Sequence, residues 1–120
     1  MNLSALAHTW ILDVDGTICK HNGYKKGNDI LLPGVAEFFS KIPNIDFIVF
    51  ITSRPESCAK ELEGFLRDKG IRYDKIIYGV PYGERILIND CKPSGLKTAI
   101  AINKKRDSEL NIRFKIDHEL

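Results

Sequence analysis

The sequence predicts an α/β domain: a parallel sheet of about five strands with helices on both faces. Three observations predict it. Short apolar, β-branched runs alternate with stretches whose apolar residues recur at helical spacing. Gly and Pro punctuate the boundaries between them. The alternation strand, helix, strand, helix, strand is the pattern of a parallel sheet joined by crossover helices.

The elements follow in order. Thr9-Trp10-Ile11-Leu12 is a short apolar run that ends in a polar, glycine-containing turn, and reads as a buried strand. Pro33-Gly34, followed by Val35, Ala36, Phe38 and Phe39, suits a helix start with Pro near its first turn. Phe47-Ile48-Val49-Phe50-Ile51 is the strongest strand, β-branched and aromatic throughout and apolar on both faces. A second helix opens at Ser53 or Arg54-Pro55, carries Ala59, Leu62, Phe65 and Leu66 at helical spacing, and stops at Gly70. Lys75 to Tyr78, Arg85 to Ile88 and Thr98 to Ile102 read as three further strands.

A chain of 120 residues carries one compact domain, with a core over about 9–103 and a mixed, charged C-terminal stretch from Asp107 to Leu120 that the sequence leaves unassigned. A hydrophobic fraction of 43% and a charged fraction of 28% are those of a globular protein, not a disordered one. The net charge of +2 gives no nucleic-acid stripe, and Lys104-Lys105-Arg106 alone reads as a solvated face. Met1 to Thr9 lacks the basic start of a signal peptide, and no segment reaches the roughly 20 apolar residues of a membrane span. The three cysteines, Cys19, Cys58 and Cys91, form no CxxC pair, so neither a zinc site nor a disulfide framework is expected. A reducing cytoplasm fits them. Cys19 and Cys91 follow acidic motifs; a catalytic thiol competes there with a small space-filling side chain, and no His partner is evident.

Ligands of open parallel sheets bind beyond the carboxyl ends of the strands, so the residues after each strand carry the functional reading. After the first strand stands Asp13-Val14-Asp15-Gly16-Thr17. Carboxylates at i and i+2 on an extended segment point the same way and repel unless a hard cation lies between them. Magnesium is the expected cation, and Gly16 lets the backbone turn. After the second strand, Thr52-Ser53-Arg54-Pro55 offers hydroxyls, a helix start and a guanidinium, an anion site whose bland counterpart is a simple N-cap. After the fourth, Asn89-Asp90-Cys91-Lys92-Pro93-Ser94-Gly95 places two oxygen donors and a cation in a stretch that also suits an ordinary turn.

Together these residues predict phosphoryl transfer. Asp13 attacks phosphorus and forms an aspartyl-phosphate; Asp15 protonates the leaving oxygen and then activates water. Thr52, Lys92 and magnesium stabilise the charge. Gly16, Thr17, Ser53, Arg54 and Lys25 bind phosphate or substrate, and Asp13, Asp15, Asn89 and Asp90 ligate metal.

Ile11-Leu12-Asp13-Val14-Asp15-Gly16-Thr17-Ile18 resembles the first motif of the haloacid dehalogenase (HAD) superfamily of phosphatases. Ile51-Thr52-Ser53-Arg54-Pro55 resembles its second motif and Ile88-Asn89-Asp90 its fourth. The resemblance spans about Trp10 to Asn103 and is nearest to small capsule-biosynthesis phosphatases. It implies a Rossmann-like, HAD-like parallel sheet without a cap domain, magnesium, a nucleophilic Asp13 and an acid/base Asp15. It also implies a small phosphorylated substrate such as a sugar phosphate. The chain departs from the pattern twice. Gly79-Val80-Pro81 stands where a third-motif lysine is expected, which Lys92, then Lys75 or Arg85, can replace. Asn89 stands where many relatives carry a carboxylate. Only Cys19 to Leu32 is free to form a flap, with Tyr24, Lys25 and Lys26 at its tip, so the site is expected to be open or covered by a neighbouring subunit. His21, a lone loop histidine, is expected to be exposed rather than to touch substrate. Two other functions compete: a non-catalytic module that keeps a phosphate and magnesium pocket, and a receiver-type phosphoacceptor domain. The receiver lacks support, because Tyr78-Gly79 rather than an Asp follows the third strand.

Overall fold

The computed structural model describes residues 1–120. Its centre is a parallel three-stranded sheet in the order β2 (Thr9–Asp13), β3 (Phe47–Ile51), β4 (Lys75–Ile77). Ile11 stands opposite Val49 and Asp13 opposite Ile51, and Ile51 in turn stands opposite Ile77. Helix α1 (Val35–Ser40) crosses from β2 to β3, and α2 (Ala59–Asp68) from β3 to β4. A short pair, β1 (Asn2–Leu3) with β5 (Lys115–Ile116), also parallel, joins the two ends of the chain.

Alternation along β2 and β3 decides where the core lies. Ile48 and Phe50 point to one face and are fully buried, together with Val35 and Phe38 of α1 and Leu62 and Leu66 of α2. Two right-handed crossovers that step in the same direction across a sheet put both helices on one face. That is the arrangement here, so helices cover one face rather than the two expected. The opposite face presents Ile11, Phe47 and Ile77, 49%, 46% and 41% exposed.

The two later strands expected from the sequence do not form. Arg85 to Ile88 and Thr98 to Ile102 have no regular secondary structure and belong to no ladder. The cause is the connection. Parallel neighbours need a crossover of about a dozen residues or more, normally a helix, and Gly79 to Glu84 is far too short. The chain from Pro81 to Asn103 instead runs out and back as an exposed arm, turning at Lys92 to Gly95. The molecule is elongated, 48 × 28 × 24 Å, with a radius of gyration of 15.1 Å, where about 14 Å is usual for this length.

The C-terminal stretch is docked. Leu110 is 3% exposed within the core, and Phe114 packs on Trp10 with ring centroids 4.9 Å apart. Gly34, at φ 82°, lets the chain pass against the Leu110 backbone, where any Cβ would collide. No helix is long and apolar enough to cross a membrane.

Candidate functional site

The carboxyl end of the sheet gathers the first two sequence motifs. β2 ends on Asp13, and the chain then folds into a tight turn. The carbonyl of Val14 accepts from the N–H groups of Thr17, Ile18 and Cys19 at 3.2, 3.0 and 3.3 Å. Gly16 takes φ 83°, a region open to glycine at no steric cost, and a Cβ there would meet Arg106 Cγ at 3.1 Å. The turn is locked from outside by the loop after the arm. The Gly16 carbonyl accepts from the Asp107 N–H at 2.9 Å and from Lys104 Nζ at 3.3 Å. Asp107 in turn accepts from the His21 N–H at 2.7 Å through its carboxylate.

The two carboxylates expected to share a cation have different partners. Asp13 is open to solvent. Thr17 Oγ1 donates to its Oδ2 at 3.3 Å, and Arg85 Nη2 lies 3.6 Å from its Oδ1. Partial burial raises the Asp13 pKa above the usual carboxylate value, against the Val14 N–H, Arg85 and Thr17, which lower it. Asp15 is clasped by Arg54, which donates from Nε to Oδ2 at 3.0 Å and from Nη2 to Oδ1 at 2.9 Å.

Arg54 is 1% exposed and fully committed. Beyond Asp15 it donates to Asp29 through Nη1 at 3.0 Å and Nη2 at 2.7 Å. The Tyr24 ring lies 4.0 Å from its guanidinium carbon, a stacked cation–π contact. Burial opposes its charge, but the hydrogen bonds it donates to two carboxylates outweigh that and raise its pKa further. The flap from Cys19 to Leu32 is therefore stapled to the second motif rather than free. Asp29 and Tyr24 are its staples, Tyr24 standing within a 3-10 turn over Gly23–Lys26.

Thr52 is buried, and its hydroxyl accepts from the Arg54 N–H at 3.1 Å, so it shapes the loop that delivers Arg54. Ser53 beside it is half-buried. Lys25 is exposed at the flap tip, with Nζ 5.9 Å from the Tyr24 ring centroid. Asn89, Asp90 and Lys92 do not join this cluster. They ride on the arm, where Asn89 Nδ2 donates to Thr98 Oγ1 at 3.1 Å and Thr98 Oγ1 donates to the Asp90 carbonyl. Lys92 forms no ion pair and lies in the turn at the arm's tip; the cation beside Asp13 is Arg85.

These positions bear on magnesium. The metal-capable side chains brought within 4.8 Å of one another are Asp15, Cys19 and Asp29. Arg54 already neutralises both carboxylates, and Cys19 is a soft ligand whose thiol burial pushes far up in pKa. Of the four residues expected to ligate the ion, Asp13 alone is open at the mouth of the sheet. The group expected around magnesium does not converge in this arrangement.

Asp29 and Asp107 are contributors that the sequence did not single out, and Lys104, read there as part of a solvated face, braces the Gly16 turn. Only their distance contacts reveal them, because each lies in a loop with no motif of its own. No family model, curated protein or solved structure matches the chain.

Proposed function

We propose that the carboxyl end of the sheet is a phosphoryl-transfer site and that the chain hydrolyses a small phosphate monoester, such as a sugar phosphate, through Asp13. One observation carries the reading: of the paired carboxylates after β2, Asp13 is open and only lightly engaged, while Asp15 is held on both oxygens. Both Asp15 oxygens accept from Arg54 and face it rather than the open mouth, so Asp15 is here a positioning residue that holds Arg54 and the flap. Asp13 is the nucleophile.

In the first half an Asp13 oxygen bonds to phosphorus as the ester oxygen leaves and takes a proton from solvent at the open mouth. In the second half water bonds to phosphorus, loses its proton to solvent, and the Asp13–phosphorus bond breaks. Arg85 is placed to exchange its contact with Asp13 for phosphoryl oxygens, and the Thr17 hydroxyl orients the nucleophile. The resemblance to the HAD superfamily in the first motif supports the nucleophilic role of Asp13; the acid/base role it implies for Asp15 gives way here to positioning, because Arg54 holds both Asp15 oxygens.

A second reading has its own support. Asn89, Asp90 and Lys92 stand apart from Asp13, and Arg85 pairs with it, which suits a module that binds phosphate without turnover. Incubation with p-nitrophenyl phosphate and a panel of sugar phosphates, with and without Mg2+, separates the two. Turnover that is lost in Asp13→Asn supports the enzyme; phosphate binding without turnover supports the module.

A further inference from the structure

We infer that the arm from Pro81 to Asn103 docks on the uncovered sheet of a second copy of this chain, so that two chains exchange arms in a symmetric dimer. Two unsatisfied surfaces on one molecule carry the inference. The first is the sheet. Its helix-free face shows Ile11, Phe47 and Ile77, and β2 has no neighbour on its outer edge. The open edge of β2, which carries Ile11 on that face, is a template for strand addition.

The second surface is the arm. Ile86 is 83% exposed and Ile88 90%, with Ile100 and Ile102 about half exposed on the returning limb. Its backbone is equally unpaired. Between Val80 and Asp107 the backbone hydrogen bonds are Lys92 N–H to the Leu96 carbonyl and Gly95 N–H to the Lys92 carbonyl, both in the terminal turn. A stretch with unpaired N–H donors and alternating exposed isoleucines has the chemistry of an added strand.

The geometry at the arm's base bars the arm from parallel pairing beside the chain's own β2, and in the single chain the arm joins no strand of its own sheet. The arm leaves where the Val80 N–H meets the Thr52 carbonyl and returns where the Asp107 N–H meets the Gly16 carbonyl, both at the carboxyl end of the sheet. Arg85 fixes the exit by donating to the Pro81 and Gly83 carbonyls at 3.1 and 3.0 Å while it pairs with Asp13. From that exit, parallel pairing of Arg85 to Ile88 with the chain's own β2 needs a crossover longer than Gly79 to Glu84. A partner's sheet imposes no such limit. Arm and sheet face together supply the roughly 20–30 residues a side of a standard interface. Because each chain offers both surfaces, one two-fold axis satisfies both at once and closes the assembly.

Light scattering after size exclusion tests this on the full chain. A dimer mass for the wild type is expected, and a monomer mass at the same concentration for Ile86→Asp with Ile88→Asp. Those side chains are exposed in the single chain, so circular dichroism of the variant stays that of the wild type. The dimer dissociation constant is expected to rise at least 100-fold. Independently, Ile11→Cys with Ile88→Cys, in a Cys91→Ser background, is expected to give a disulfide-linked dimer on non-reducing gels. A wild-type monomer at every concentration, or a cross-link formed only within one chain, would overturn the exchange.

Discussion

Arg54 grips Asp15 through two parallel hydrogen bonds, at 3.0 and 2.9 Å, in the buried space between the sheet and the flap. The same fork holds Asp29, so one cation neutralises two carboxylates that are 16% and 7% exposed. Removing it leaves two buried anions without a partner. Breaking such a network costs about 3–5 kcal/mol, because the remaining charges stay desolvated. Arg54→Ala is therefore expected to lower the urea midpoint sharply, and Arg54→Lys to recover only part of the loss, since an ammonium cannot match both forks. Equal stability of Arg54→Ala and wild type would contradict this.

Asp46 is the corresponding anchor at the amino end of the sheet. Its buried carboxylate accepts from Trp10 Nε1 at 2.8 Å, from the His8 N–H at 3.0 Å, and contacts His8 Nδ1 at 2.9 Å. Burial pushes its pKa up, but these hydrogen bonds prevail and hold it below the ordinary value of 3.8. A depressed carboxylate contributes stability above its unfolded pKa and loses it as pH falls through the folded one. Stability measured between pH 5 and pH 2 is expected to fall less steeply in Asp46→Asn than in wild type. At neutral pH Asp46→Asn is expected to cost about 1–3 kcal/mol, the penalty of weakening a buried, charge-assisted network.

Gly16 occupies a left-handed conformation in the turn that presents Asp13, with Arg106 packed where a side chain would go. Gly16→Ala is expected to cost more than about 1 kcal/mol, because the strain is backbone strain that neighbouring side chains cannot relieve. Thermal melting would show it as a lowered midpoint.

The cysteines separate by environment. Cys19 is fully buried, and desolvation, with Asp15 and Asp29 alongside, raises its thiol pKa far above the ordinary value. Cys91 is exposed on the arm. A thiol reagent such as iodoacetamide is expected to modify Cys91 readily in the native protein and Cys19 only after unfolding, as peptide mass spectrometry would read. Rapid native labelling of Cys19 would restore the catalytic-thiol reading that its burial disfavours.

Strands with both a strong run and a helical crossover were legible in the sequence. Phe47–Ile51 lies where its β-branched run predicts, and α2 ends just before Gly70, which takes φ 69°. Arg85 to Ile88 carries three apolar residues in a row and forms no strand, because apolar pattern reports burial tendency and not the length of the connection that must deliver it. The pairing of Asp13 with Asp15 was half legible. Their spacing places both at the mouth of the sheet, but the partner that decides the role of Asp15 is a buried arginine far along the chain. Asp29 sits in a flap with no periodicity, and Leu110 and Phe114 lie in a charged stretch whose mixed composition hides their docking. Contacts of that separation leave no local signal.

The most direct measurement traps the bond that the proposed function requires. The protein is incubated with a turned-over phosphate ester, quenched and treated with borohydride, which reduces an acyl phosphate to an alcohol, and the peptide spanning Thr9 to Lys20 is sequenced by mass spectrometry. The account predicts homoserine at position 13 in wild type and unmodified peptide in Asp13→Asn. Turnover with no trapped product at Asp13, or with the modification at Asp15, would contradict it.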